Sequence, residues 1–529
     1  MDKIVGFALA RTPLVGLAPD LFGRGMTVEH IEHQGFHLCL WGWGKPSACR
    51  QGPALSMAFP PSDSLLERNL LLRLSPHGIE VENDWLGSVP VFYNPREGLA
   101  STWPRLALGA SRAIDEVAVQ DFLRYGYSVF GQTIFQDVRF LRHFSSLRCQ
   151  GGQLREVTKD DDPAQRLVTS PTHTSEEDVW ERFRHLVGRA ESATPGKVLL
   201  PTSGGFDSRL LNLLLADKSK IRSFTYGASK DTSQFRDVVF ARELSRILGT
   251  TWSEVALVDY HQHMPKWFKM YGFSTHYHGM YHLEFYQKIF QNSLLEPDSS
   301  MGSGIIGDAW SGKLFYKPVR KPDQVVSLGL SHGLSLGAGE LARPLRHGRE
   351  EEFLQENRNR LQLSAFRTLA AMRMKILLLS YLVAVPEHFG TPAWSPFLDF
   401  ELVRLMLTLH PARRKNRLWQ VDFFKRHGAW LEGMGLSFST ANRLDYDRAG
   451  KHRFEPLAEE LLAPHVQAGV LRQINQSLKG FRPSDDFRNW LLTTPKIKAA
   501  AQMLGLRNPA LENLRKYYVL KALQDGMTL

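Results

Sequence analysis

Chemistry is concentrated in the ten residues Leu199-Leu200-Pro201-Thr202-Ser203-Gly204-Gly205-Phe206-Asp207-Ser208. Gly204 and Gly205 let the backbone approach an anion closely, and Ser203 and Ser208 add hydroxyl donors. Asp207 can hold a magnesium ion against phosphate oxygens. The spacing is not GxxxxGK[ST], so this is not a Walker A loop. A GGxDS stretch in an ordinary surface turn is the alternative, and the flanks argue against it. Val198 to Leu200 is an apolar run that reads as a buried strand, and Arg209 to Leu215 reads as a helix. The loop therefore opens a helix, whose positive end favours phosphate.

The elements that must position this loop follow from the pattern around it. Before residue 157 the chain reads as short strands bounded by Gly, Pro, Asn and Asp, among them Phe36–Trp43, Leu70–Leu74 and Val89–Tyr93. Residues 157 to 179 carry a run of three aspartates, prolines and many hydroxyl residues without a sustained apolar period, which is linker chemistry. After it, strands and helices alternate. A helix is expected near 207–216, strands at Arg222–Tyr226 and Val255–Val258, and a helix over 234–248 that stops at Gly249. Such alternation predicts a parallel sheet flanked by helices. Helical patterns dominate from 350 onward.

The 529 residues are enough for two or more domains, and 43% hydrophobic with 22% charged residues describes a globular protein. Cys39, Cys49 and Cys149 show no CxxC spacing, so neither a disulfide framework nor a cysteine-ligated zinc is favoured. The N-terminal segment is a poor signal peptide. Ile376 to Val385, the best membrane candidate, is about half the length of a span and reads as a buried helix. A cytoplasmic location is the expectation. The net charge of +11 is spread over patches such as Arg343, Arg346 and Arg349 and Arg413-Arg414-Lys415 with Arg417. Solvated surface explains these best, with an anionic substrate, ATP, an anionic membrane surface or RNA as alternatives; the nucleic-acid case is not strong.

The SGGFDS loop resembles that of the PP-loop ATP pyrophosphatases, which split ATP between its α and β phosphates. Other segments extend the likeness to the asparagine synthetase class, including its β-lactam synthetase type. Trp85-Leu86-Gly87 with Val89-Pro90-Val91-Phe92-Tyr93 resembles its "D..G..PLYY" stretch, and Phe122 to Tyr127 with Thr133 to Val138 resembles the segment closing its first domain. Ser223 to Gly227, Ala241 to Leu244 with Leu248-Gly249-Thr250, and Pro396-Phe397-Leu398-Asp399 match later pieces. Together these cover about residues 85 to 400.

The resemblance implies an α/β protein. An N-terminal Ntn-hydrolase-like, glutaminase-type α+β domain (1–156) would be followed by the linker 157–179. A PP-loop parallel-sheet domain of the adenine nucleotide α hydrolase-like kind, with a helical C-terminal part, would occupy 180–529. It implies ATP and Mg2+ as cofactors, with Leu200, Ser203, Gly204, Gly205, Phe206, Ser208, Tyr226, Gly227 and Gly307 around the nucleotide and Asp207 and Asp308 on the metal. Asp207 and Asp308 would also be catalytic, together with one late lysine among Lys415, Lys425 and Lys451, of which Lys451 is taken as the candidate. The expected activity is AMP-forming amide synthesis. A small-molecule, sugar or peptide carboxylate is adenylated and passed to ammonia or an amine, in polysaccharide or natural-product biosynthesis.

Departures qualify that expectation. Met1 is followed by Asp2, and no cysteine lies near the N-terminus to attack glutamine, so glutaminase activity is not expected. In Gly304-Ile305-Ile306-Gly307-Asp308-Ala309 the family's following Glu is Ala309, and its later Glu and Arg fall at Pro392 and Trp394. A catalytically reduced scaffold and a tRNA-modifying PP-loop enzyme therefore stay open. His276, His278 and His282 invite a metal reading, but substrate-pocket lining or a packed aromatic face fits them better.

Overall fold

The computed structural model describes all residues except 1, 15, 18–21, 24, 169–173, 292–297, 331–332, 481–482, 495–496, 498–499 and 502. The first part is built from antiparallel strands. They are β1 (Lys3–Ala10), β2 (Thr27–His33), β3 (Phe36–Trp43), β4 (Arg50–Gln51), β5 (Ala54–Ser56), β6 (Leu70–Ser75), β7 (Gly78–Asn83), β8 (Phe92–Asn94), β9 (Leu99–Ser101), β10 (Arg139–Phe140), β11 (Ser145–Gln150) and β12 (Gln153–Thr158). One sheet has the order β10-β8-β9-β1-β3-β2 and the other β12-β11-β7-β6-β5-β4. Strand periodicity explains their burial on both faces. Leu38 and Leu40 of β3 enter a core shared with Leu70, Leu72 and Val81 of the other sheet. Cys39 and Trp41, on the opposite face, join the large core that runs into the second part.

The later part carries a five-stranded parallel sheet of β13 (Val198–Pro201), β14 (Ile221–Thr225), β15 (Thr251–Glu254), β16 (Ser300–Gly302) and β17 (Ala393–Trp394), in the order β15-β14-β13-β16-β17. From β13 the chain builds outward through β14 and β15, then returns to the other side of β13 with β16 and β17. The order reverses between β13 and β16. In open α/β sheets the crevice at the strand carboxyl ends beside such a reversal is where ligands bind.

Two expected strands differ. The third parallel strand lies at Thr251–Glu254, before Val255–Val258, because its partner β14 ends at Thr225. Beyond that pair the Val255 N–H makes one more bond, to Thr225 O, while Val255 and Leu257 are buried without a ladder. Val89–Tyr93 contributes only its end to β8, since Pro90 has no N–H to donate. The expected helices appear at Phe206–Leu214 and Arg236–Leu248, the latter closed by Gly249 in the left-handed conformation. The apolar run near 376 belongs to a longer stretch than expected, Ser364–His388, with mean hydropathy 1.7 over its most apolar window and 67% of that window buried inside the protein. It is long enough to span a bilayer by length alone, and it is packed as a core helix.

Buried charge joins the two parts. Arg68 grips Glu387 with two hydrogen bonds of 3.0 and 2.8 Å, and Lys3 adds a third charge at 3.4 Å. Trp85 Nε1 donates to Leu398 O at 2.8 Å, and Arg124 pairs with Glu350 at 2.7 Å. The acidic segment after β12 is pinned through Asp162, which takes two bonds from Arg373 at 2.8 and 2.7 Å.

Candidate active site at the sheet reversal

The SGGFDS loop leaves the carboxyl end of β13, and the Gly304–Asp308 turn leaves that of its neighbour β16, so the two meet at the reversal. Gly304 and Gly307 permit that meeting. A Cβ at Gly307 would sit 2.7 Å from the Asp207 carboxylate and 2.8 Å from the Phe397 ring, and one at Gly304 would lie 3.1 Å from Asp207 Cβ. Asp207 is buried in the first turn of the helix, while Asp308 is half-open to solvent. Ile306, which precedes the short helix Gly307–Trp310, has φ +62°, a conformation disfavoured for a β-branched residue. Strain of that kind concentrates at functional sites.

Electrostatics tie the two aspartates together. Burial, then the charge of Asp308, pushes the Asp207 carboxyl up to about 7 against the opposing pull of Arg417, Gln420 and Lys313. Arg417 Nη1 donates to Asp308 Oδ1 at 3.1 Å, Lys313 holds the other oxygen, and Gln420 Nε2 reaches Asp207 Oδ1 at 3.4 Å. Arg417 also stands 4.0 Å over the Phe206 ring and is itself left-handed, with φ +57°. Two carboxylates that repel each other, walled by cations, suit a divalent cation bound with an anion. Among hard divalent cations, an all-oxygen pair of this kind is compatible with Mg2+.

The loop is held from below. Arg209, with a fully buried side chain, makes two bonds to Glu432 at 2.8 and 3.0 Å and donates to Gly204 O at 3.1 Å. Three loop N–H groups are bonded within the protein: Ser203 to Ser208 Oγ, Gly205 to Ser203 Oγ and Gly204 to Asp237 Oδ1, each 3.1 Å. The helix that follows has no side-chain cap at Gly205, so its first-turn N–H groups are the ones presented to an anion. Asp237, in the first turn of the helix Arg236–Leu248, braces the loop through this bond, and burial raises its pKa.

The other candidate residues divide. Leu200 is buried in β13, touching the close approach of β16 at Gly302. Tyr226 and Gly227 follow β14; a Cβ on Gly227 would strike the Thr232 backbone, which accounts for that glycine. Tyr226 is hydrogen-bonded to Tyr281, their rings 5.6 Å apart. Beside them Asp445 accepts from Tyr260 at 2.9 Å and pairs with His278 at 3.4 Å. Burial would raise the Asp445 carboxyl, but His278, Tyr260 and Arg515 outweigh it and hold it at about 2. The segment bearing Asp445 is attached to the end of β14 by the Arg443 N–H, which donates to Ala228 O at 2.7 Å.

Lys451 lies on this segment, not against Asp207 or Asp308; its side chain is exposed and makes no ion pair among the described residues. Lys425 stacks on Trp430 at 5.6 Å. His278 and His282 fall in successive elements, Tyr277–Met280 and Tyr281–Gln291. His278 faces Asp445 while His282 packs on Tyr281 and Tyr381. Asp399 caps the helix Phe400–Thr408 and takes two bonds from Arg182 at 2.9 and 2.6 Å, so its role is structural. Arg417, Lys313 and Gln420 were not singled out as site residues by the sequence. Arg417 read as part of a solvated basic patch, and only folding brings it to Asp308.

The chain matches no protein-family model, and no curated protein matches it significantly.

Proposed function

We propose that the chain is an ATP-dependent, AMP-forming amide ligase of the asparagine synthetase-like kind, with a PP-loop domain after residue 180 and a glutaminase-type first domain that has no glutaminase activity. The observation that carries this reading is the meeting of the SGGFDS loop with the Gly304–Asp308 turn at the sheet reversal, which puts two carboxylates and two cations at a helix N-terminus.

In this account a substrate carboxylate oxygen attacks the α-phosphorus of ATP, the bond from that phosphorus to the bridging oxygen breaks, and pyrophosphate leaves. Asp207 and Asp308 would hold Mg2+, which would supply neutralisation of the charge on the departing pyrophosphate. Arg417 and Lys313 face the same charge, and the first-turn N–H groups orient it. An amine then attacks the acyl carbon, the bond to the AMP oxygen breaks, and the amine proton passes to a base. His278 is the candidate base, because Asp445, 3.4 Å away, orients its ring. Lys451, on the same segment, is the candidate cation for the developing oxyanion.

The buried and half-buried thiols support a first domain that does not hydrolyse glutamine. Burial pushes Cys39 up to about 12 and raises Cys49 and Cys149 as well, so none supplies a thiolate at neutral pH. The test is AMP and pyrophosphate production from ATP and Mg2+ with a metabolite extract of the host, wild type beside Asp207→Asn. Turnover that depends on Asp207 supports the ligase. Equal results from both proteins would favour the scaffold reading.

A further inference from the structure

Next to the Asp445 cluster, a group of side chains is left over that the ligase reading does not use. Asp259, His261 and His452 bring one ligand atom each to within 4.8 Å of one another. His452 Nδ1 lies 3.6 Å from Asp259 Oδ1, and the His452 ring stacks on His261 with centroids 4.8 Å apart. His261 is 1% exposed, whereas Asp259 has a 54% exposed side chain, so the group opens to solvent on one side.

His261 Nε2 and the Tyr518 hydroxyl share a hydrogen bond of 2.8 Å. His261 Nδ1, on the other side of the ring, is buried and has no hydrogen-bond partner among the described residues. A buried polar ring atom without a partner is costly, and an imidazole held in place by a hydrogen bond at its other nitrogen is the arrangement that ligates metals.

We propose that Asp259, His261 and His452 bind a divalent first-row transition cation of the zinc class. Two imidazole nitrogens and one carboxylate oxygen select such an ion over Mg2+ or Ca2+. Ligand atoms around zinc lie roughly 3.3 Å apart, so binding leaves the His452–Asp259 pair, 3.6 Å apart, nearly where it is and shortens the widest separation, at most 4.8 Å, by up to about 1.5 Å. The two more exposed side chains can rotate to do this, leaving a coordination position for water on the open side. The ion ties the segment that carries Asp445 and Lys451 to the Tyr260–His263 turn and, through Tyr518, to the C-terminal helix Pro509–Met527. It acts as a staple next to the proposed acyl-transfer site and takes no part in ATP binding.

The experiment is a titration of EDTA-stripped full-length protein with Co2+, read by visible ligand-field absorption, followed by displacement with Zn2+. The expected result is one equivalent bound with inner-sphere absorption, and affinity weakened at least tenfold in both His452→Ala and Asp259→Asn. Tyr518→Phe, which removes the hydroxyl hydrogen-bonded to His261 Nε2, weakens it about 10- to 100-fold. Thermal melts confirm that each variant is folded, with Asp259→Asn as the mildest change. Absence of a one-to-one site in folded wild type, or an unchanged site in folded His452→Ala and Asp259→Asn, would overturn the proposal. Because the readout is spectroscopic and needs no ATP, its failure is separate from failure of the ligase reading.

Discussion

Burial and then the charge of Asp308 penalise the Asp207 anion and push its carboxyl well above the usual carboxylate range. A carboxyl raised from 3.8 to about 7 keeps its proton in the native state across a window where the unfolded chain has lost it. Native stability therefore falls as pH rises through that window. Asp207→Asn removes the penalty. In EDTA at pH 8 the variant should be more stable than wild type by up to about 4 kcal/mol, with the gap closing toward pH 4. Denaturant melts at the two pH values check this, and a gap independent of pH would contradict it. Wild type should bind Mg2+ more tightly as pH rises past 7, since the ion must displace that proton. Gly307→Ala is the steric counterpart: its methyl would lie 2.7 Å from the same carboxylate, and it should cost about 1–3 kcal/mol and weaken ATP binding, measured by calorimetry.

Elements separate what was legible from what was not. The strand, loop and helix around Ser203–Ser208 could be read because apolar runs and glycines report local structure directly. The Gly304–Asp308 turn was found through its resemblance, and it falls where a second loop must reach the first. Arg417, Lys313 and Gln420 were not legible. They reach the aspartates from over 100 residues away along the chain or from the turn's far end, and neither period nor spacing encodes such contacts. The strand at Val255–Val258 was misplaced by four residues because alternating apolar residues report burial, and not where a ladder ends. Asp399 shows the converse, a motif residue whose role is structural. Asp399→Ala loses a helix cap and leaves Arg182 unpaired, and should cost about 2–4 kcal/mol. The KM for ATP should stay unchanged, which steady-state kinetics would show.

Across the whole molecule, the sandwich and the parallel-sheet part share one core and several buried ion pairs, so they should unfold in a single transition. Glu387 is the key position, since its removal leaves Arg68 and Lys3 buried without their counter-charge. Glu387→Ala should cost about 3–5 kcal/mol and slow ATP turnover only through loss of folded protein. Calorimetry that resolved two independent transitions in wild type would break this picture. The alternation of elements made the two-part architecture legible from the sequence, whereas the charge network joining the parts was not.

The central claim is that the cleft at the reversal of the parallel sheet transfers AMP to a carboxylate. The most direct measurement follows α-labelled ATP incubated with Mg2+, the purified protein and an extract of host metabolites. Labelled AMP, with an equal amount of pyrophosphate assayed alongside, is expected from wild type, and neither above background from Asp207→Asn. Label recovered in ADP, or no difference between the two proteins, would contradict it.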